Sequence, residues 1–298
     1  MHVDFSTSEM FLQFIINGLI TGVLYSLLAI GFALVYNTTR IFHIAAAGIY
    51  VFAAYMFWLF VALLGLPLLS SAIVAIILTM GLSILTEVAV YRPLKKKKAS
   101  LNIAMIASIG VMTVIVNLIA MFFGNETKVV SNVIQQPLVL GELIITVPQL
   151  WQLLAGSLLI SVFLVVLYWT NWGVKLRAIS TDETLFEVLG YNTRSMRTVV
   201  FLMSGLFFGT ASCLTVYDVG MDPNMGMTVL INAIVAMIIG GVGRLGTCII
   251  GGLTLGILQS LVVYQFSSNW QNAVTFLLLL ILLFLRPQGI AGYKQRTV

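Results

Sequence analysis

The chain has 298 residues, of which 60% are hydrophobic and only 8% charged, and its mean hydropathy is +1.07. A water-soluble protein of this size needs far more charge to cover its surface, so these totals exclude a pair of soluble domains and point to an all-α polytopic membrane protein. The net charge of +5 does not mark a nucleic-acid binder, because the basic residues sit at the ends of apolar runs, where orientation signals lie.

Nine apolar segments follow one another, at 11–36, 43–64, 68–90, 102–123, 151–170, 198–217, 227–243, 246–264 and 271–286. Each approaches the ~20 residues that a helix needs to cross a bilayer, and their loosely marked ends allow a count of about eight to ten. Strict alternation of apolar and polar residues, the mark of a membrane barrel, is absent from them. The opening MHVDFSTSEM carries acids but no Lys or Arg, and the apolar run behind it is too long for a signal peptide, so 11–36 is expected to stay as the first span. Asn37-Thr38-Thr39-Arg40 then interrupts the run and reads as a helix break within the membrane, and Gly65-Leu66-Pro67 reads as a tight turn. RPLKKKK at 92–98 is the densest basic cluster, which assigns that loop to the cytoplasm. Alternating outward from it, Arg40, the basic residues from Lys175 to Arg197, Arg244, Arg286, Lys294 and Arg296 fall on the same side, and Lys128 alone falls on the other. The N-terminus is therefore expected in the periplasm and the C-terminus in the cytoplasm.

Two polar intervals break the apolar pattern. The external loop 124–150 contains VVSNVI and ELIITV, alternating runs that suit a small hairpin. The internal loop 171–197, NWGVKLRAISTDETLFEVLGYNTRSMR, holds a short helical segment at 182–190 between basic ends. Ser180 and Thr181 are candidate caps, Asp182 and Glu183 suit the first turn, and Gly190 suits the end. A capped helix between two spans, on the basic side, has the character of a docking element on which an outside motor presses. Further on, glycines 240, 241, 243 and 246 around Arg244 make a very short reversal that suits a re-entrant turn buried in protein. Glycines four apart recur at Gly18 and Gly22, Gly205 and Gly209, and Gly252 and Gly256, and mark helix-packing seams. The whole of 1–298 reads as one transmembrane domain.

The chemistry the sequence lacks narrows its function. It has no GxxxxGK[ST] loop, HExxH, GxSxG or Cys/His cluster, so neither nucleotide hydrolysis, nor another enzyme activity, nor a metal site is expected in this chain. Cys213 and Cys248 lie in apolar segments and read as small fillers. Glu87 is the one acid within a predicted span, and near the basic end it reads as an ion-pair partner of Arg92 or Lys95 rather than as a proton-coupling carboxylate. Polar residues of the spans are neutral and sparse, and singly each is more often an interhelical hydrogen bond. Asn17, Thr21, Asn117, Thr228 and Asn232, with His43 at the head of the second segment, are the candidates for lining a pathway. Such a lining suits a small solute of no net charge; a phosphate or a metal ion would need fixed charge.

These segments resemble a known family. NGLITGVLYSLLAIGFALVY is similar to the pattern NGxxxGxxYxLxAxGxxLxY that opens the permease subunits of bacterial ABC importers for branched-chain amino acids, a family that includes urea and short-chain amide permeases. VAVYRPLKKKK at 88–98 resembles its ERxxYRPLR turn, with Glu87 at the acid, and IASIGVMTVIVNL at 106–118 its ISTIGxxxxxxNL span. RAISTDETLFEVLGYNT at 177–193 resembles the coupling segment RAxxxDxxxAxLLGI, and AMIIGGVGRLGTCIIGGLTLGI at 236–257 the AxxGGxGSxxGAxxGGxxLGI span. RPQGIAG at 286–292 resembles the exit from the last span. Six matches in order cover nearly the whole chain.

The resemblance implies a multi-pass permease of the bacterial inner membrane that imports branched-chain or other hydrophobic amino acids by alternating access. It implies two ATPase subunits that carry ATP and Mg, a homologous second permease or a second copy of this chain, an external solute-binding protein, and no cofactor in this chain. The segment 182–190 becomes the coupling helix, with Asp182, Glu183, Phe186, Glu187, Leu189 and Gly190 as its contacts. Urea or amide cargo and a stand-alone facilitator or carrier are the alternatives; the scarcity of span carboxylates counts against a carrier. Departures lie at Phe186 and Tyr191, where the pattern has alanine and isoleucine, at Arg244, where it has serine, and at FHIAAAG, where Ala46 and Ala47 stand in place of a His-Gly pair.

Overall fold

The computed structural model describes residues 7–130, 138–140 and 143–285. Each of the nine apolar segments is helical, in α1 (Thr7–Thr39), α2 (Ala45–Trp58), α3 (Leu68–Thr86), α5 (Leu101–Phe123), α6 (Val147–Trp169), α9 (Thr193–Val219), α10 (Met225–Gly240), α11 (Cys248–Gln265) and α12 (Gln271–Leu285). A π-helical turn at Leu59–Leu63 extends α2, and another at Glu87–Tyr91 joins α3 to the short α4 (Arg92–Lys96). Seven of these stretches are long and apolar enough to cross a membrane, while α10 has 16 residues and α12 is described over 15. The chain is an all-α polytopic membrane protein. The motif at 286–292 lies outside the described residues.

α1 is the centre of the bundle. Its apolar window is 83% buried, against 22% for α3 with α4 and for α5, so the latter turn most of their surface outward. α11, α10, α9 and α6 pack around α1, and α9 also joins α2 and α3. Lipid tails are as apolar as Leu, so close packing rather than expulsion of water must hold such helices together. Two glycine pairs meet in one seam: a Cβ on Gly22 would lie 2.8 Å from Leu253 Cα, and one on Gly256 would lie 2.4 Å from Gly22 N and 2.5 Å from Gly18 O. Gly205 and Gly209 of α9 face α3 in the same way, with Met80 Cα 2.9 Å from the Cβ position of Gly205. Serines add directed bonds across these seams: Ser26 Oγ donates to Ile249 O (3.0 Å), Ser83 Oγ to Phe201 O (2.6 Å) and Ser212 Oγ to Tyr50 O (2.8 Å).

The break after α1 comes later than the sequence suggests. The helix runs on through Thr39, and Thr38 and Thr39 satisfy their hydroxyls along it by donating back to Leu34 O (2.8 Å) and Val35 O (2.7 Å). Arg40, at φ 57°, ends it, and the irregular stretch is 40–44 rather than 37–40. At the opposite end, β1 (Leu138–Leu140) and β2 (Leu143–Ile145) form the antiparallel hairpin, with Leu138 opposite Ile145. Gln13 clamps it to α1, donating to Ile144 O (2.8 Å) and accepting from Ile144 N (3.0 Å). The reversal between α10 and α11 depends on Gly241 and Gly243, at φ 105° and 100°, a backbone region closed to most side chains.

Candidate functional site

The loop 171–197 is more ordered than its composition suggests. It begins with a helix that its polar composition does not announce, α7 (Asn171–Thr181), capped by Thr170, whose Oγ1 accepts from Gly173 N (3.3 Å). Leu176 and Ile179 of α7 are buried against the core. Arg40 Nη2 donates to Ser180 O (3.1 Å), and Arg177 donates to Leu167 O of α6, so the C-terminal half of α7 is tied to the residue that ends α1 and to α6. Ser180 and Thr181 do not cap the next helix, because their hydroxyls donate back to Leu176 O (2.8 Å) and Arg177 O (2.9 Å).

Asp182 is the cap. Its Oδ1 accepts from Thr184 N (2.8 Å) and Leu185 N (3.0 Å), and the helix it opens is α8 (Glu183–Val188), shorter than the expected 182–190. Gly190 closes the turn at φ 84°, with its N–H on Glu187 O (2.9 Å) and that of Tyr191 on Phe186 O (3.3 Å). Asn192 then caps α9 through Ser195 N (3.1 Å).

The two faces of α8 differ. Phe186 is buried at 3% exposure and stacks on Tyr191 with ring centroids 5.0 Å apart. Glu183 forms an ion pair with Lys95 of α4, and Glu187 accepts from Thr193 Oγ1 (2.7 Å). The outward face is apolar: Leu185 is 55% exposed, Val188 78% and Leu189 63%. Of the six residues expected to make contact, Phe186 therefore faces the body of the protein, and Asp182, Glu183 and Glu187 are engaged within the chain. Leu185 and Val188, which share this outward face with Leu189, were not among those six.

The break after α1 is sealed rather than open. His43 is fully buried, with Nδ1 2.8 Å from Tyr91 Oη, which in turn donates to Ser108 Oγ (2.7 Å). Ser108 Oγ also accepts from Ala45 N (2.8 Å), so this cluster fastens the start of α2 to α5 and to the π-helical turn. Ala46 and Ala47 are buried beside it, and a Cβ on Gly226 of α10 would lie 2.5 Å from Ala47 O. The absence of a side chain at Gly226 thus lets α10 close on the backbone of α2.

The other candidates for a pathway do not line one cavity among the described residues. Asn17 accepts from Gln13 Nε2 (3.2 Å), and its carbonyl accepts from Thr21 Oγ1 (2.9 Å), so both turn their polar atoms along α1. Asn232 belongs to a buried network: it donates to Tyr25 Oη (3.3 Å) and accepts from Gln259 Nε2 (3.2 Å), and Gln259 continues to Thr275 (2.5 Å). Asn117 and Thr228 are exposed on α5 and α10. Asn117 borders a cleft of about 190 Å³ with Thr113, Asn224 and Met227, while Thr228 and Asn232 border one of about 70 Å³ with Asn272 and Thr275. Glu87, 1% exposed, holds Arg92 at 2.7 Å, and Arg92 also donates to Thr198 (2.9 Å).

A family model for the branched-chain amino acid transport system permease component matches residues 14–283. The chain belongs to that family. It is 25% identical to the high-affinity branched-chain amino acid transport permease BraD of Pseudomonas aeruginosa, over 96% of this chain and 97% of that protein. It is 26% identical to LivH of Escherichia coli, over 96% of both, and 25% identical to a probable LivH of Methanocaldococcus jannaschii, over 93% and 92%. Among solved structures, PsaBC from Streptococcus pneumoniae in complex with Fab aligns with a TM-score of 0.52 over 93% of this chain and 92% of that one, at 14% identity, a likeness of fold.

Proposed function

We propose that this chain is the membrane-spanning subunit of an ATP-driven importer of branched-chain amino acids, driven by partner ATPases that press on α8. The apolar outer face of α8 carries this reading. Leu185 and Val188 stand exposed on a six-residue helix that lies between basic residues, outside the apolar spans, and Leu189 stands exposed at its C-terminal cap. Three exposed large apolar side chains on so short an element suit a protein groove better than water. Glu183 passes a load on α8 to Lys95 and α4, and Glu87 with Arg92 and Thr198 links that helix to α9.

The assembly we propose has two ATPase subunits, which bind ATP and Mg, a second permease or a second copy of this chain, and an external solute-binding protein. It sits in the bacterial inner membrane with about nine spans, its N-terminus outside and its C-terminus inside, as the basic residues at span ends favour. Asn117 and Thr228 are exposed polar residues on the outer faces of spans, an arrangement that suits a pathway walled by two permeases rather than a pore within one.

Reconstitution separates this reading from a stand-alone facilitator. Proteoliposomes containing the chain alone should take up no leucine above the lipid background. Those containing the ATPases, the second permease and the binding protein as well should take it up only with ATP. Leucine flux through the chain alone overturns the assignment.

A further inference from the structure

A cavity of about 270 Å³ lies between α4 and the start of α9, walled by Arg92, Lys95, Lys96, Arg194 and Arg197 together with Glu87, Glu187 and Thr193. Its charges do not cancel. Glu87 is taken by Arg92, and Lys95 by Glu183 from outside the cavity. Among the described residues no carboxylate lies within ion-pair distance of Lys96, Arg194 or Arg197. Arg197 is only 4% exposed, yet its Nε and Nη2 are buried without a hydrogen-bond partner. An ionised side chain held out of water costs several kcal/mol unless an opposite charge reaches it. A guanidinium cannot escape that cost by losing its proton, since it stays charged throughout the ordinary pH range.

We propose that this cavity binds a phosphate group, carried by an anionic lipid or free in solution. Two donors of a guanidinium fork match two phosphate oxygens, and the ammonium of Lys96 and the fork of Arg194 stand at the exposed rim to complete the charge. The position suits a headgroup: the basic ends of spans are where anionic lipids gather, and basic pockets between spans are where their headgroups lodge. The helix that leads into the cavity, α3, also walls an apolar groove of about 390 Å³ with α5, lined by Leu82, Leu85, Ala89, Val111 and Val114. That groove gives an acyl chain a place beside the same helix. A bound phosphate would brace α4 and α9 against each other next to α8.

The test is native mass spectrometry of the full chain in detergent micelles, titrated with phosphatidylglycerol, with phosphatidylcholine, and with inorganic phosphate. The wild type should retain phosphatidylglycerol in preference to phosphatidylcholine, and Arg197→Gln should weaken that retention at least about five-fold, the worth of one cation near a lipid surface. The rim double variant Lys96→Gln/Arg194→Gln should do the same with its folding undisturbed, which keeps the test valid if Arg197→Gln fails to fold. Retention of inorganic phosphate alone, with the same dependence on these residues, also supports the site and names free phosphate as its source. Retention of neither ligand, or retention unchanged in the rim variant, overturns the proposal and leaves an acidic side chain of a partner protein as the group that meets Arg197.

Discussion

Exchanging Leu185, Val188 and Leu189 together for serine should leave a folded, inserted permease in which ATP turnover no longer drives uptake. The three side chains lie mostly outside the protein, so their loss removes little internal packing. Burying each against a partner is worth about 1–2 kcal/mol, and losing all three should weaken docking of the ATPase by about two to four orders of magnitude. Phe186→Ala is the instructive contrast. It removes a buried ring stacked on Tyr191 and should loosen α8 itself by about 3 kcal/mol, seen as a lower melting temperature rather than as a clean loss of docking. Full substrate-stimulated ATP turnover in the triple serine variant would remove the coupling role from this face.

Gly256→Leu, or Gly22→Leu, should break the bundle at its centre. The added Cβ meets backbone atoms of the facing helix at 2.4–2.8 Å, and backbone cannot swing aside as the end of a flexible side chain can. Separating α1 from α11 to admit the side chain should cost about 3 kcal/mol or more, read as early unfolding in detergent and loss of monodisperse protein. Gly81→Leu and Gly110→Leu are the controls, since nothing lies within 4 Å of a Cβ at either position. Equal stability of Gly256→Leu and Gly110→Leu would mean that α1 and α11 do not meet as described.

Much of this architecture was legible because membrane spans are written in composition. Apolar runs about as long as a bilayer is thick place the helices, and glycines four apart mark where two of them touch. Which face of a span turns inward is harder to read, because lipid and protein core are equally apolar. Asn232 and Thr228 sit one turn apart on α10, yet one enters a buried network with Gln259 and the other is exposed. Their residue types give no sign of that difference.

Short elements hide for another reason. α7 was overlooked because its polar and basic residues resemble a loop, while the helix rests on the Thr170 cap and on Leu176 and Ile179 meeting the core. In α8 six residues are too few to fix a helical phase, so Phe186 was placed outward although the largest apolar ring packs inward. His43 was expected beside a path, and is instead enclosed by Tyr91, Phe201 and Ser108. The histidine reads as a pathway residue in the sequence because its burial depends on residues far from it in the chain.

In the proposed importer, force reaches this chain through the outer face of α8. A cysteine at Val188, the most exposed position of that face, should cross-link to the ATPase subunit in membranes containing the whole importer, while a cysteine at Lys128 should not. An importer active in uptake that yields no ATPase adduct at Val188, or yields one at Lys128 instead, means that α8 is not where the ATPase docks.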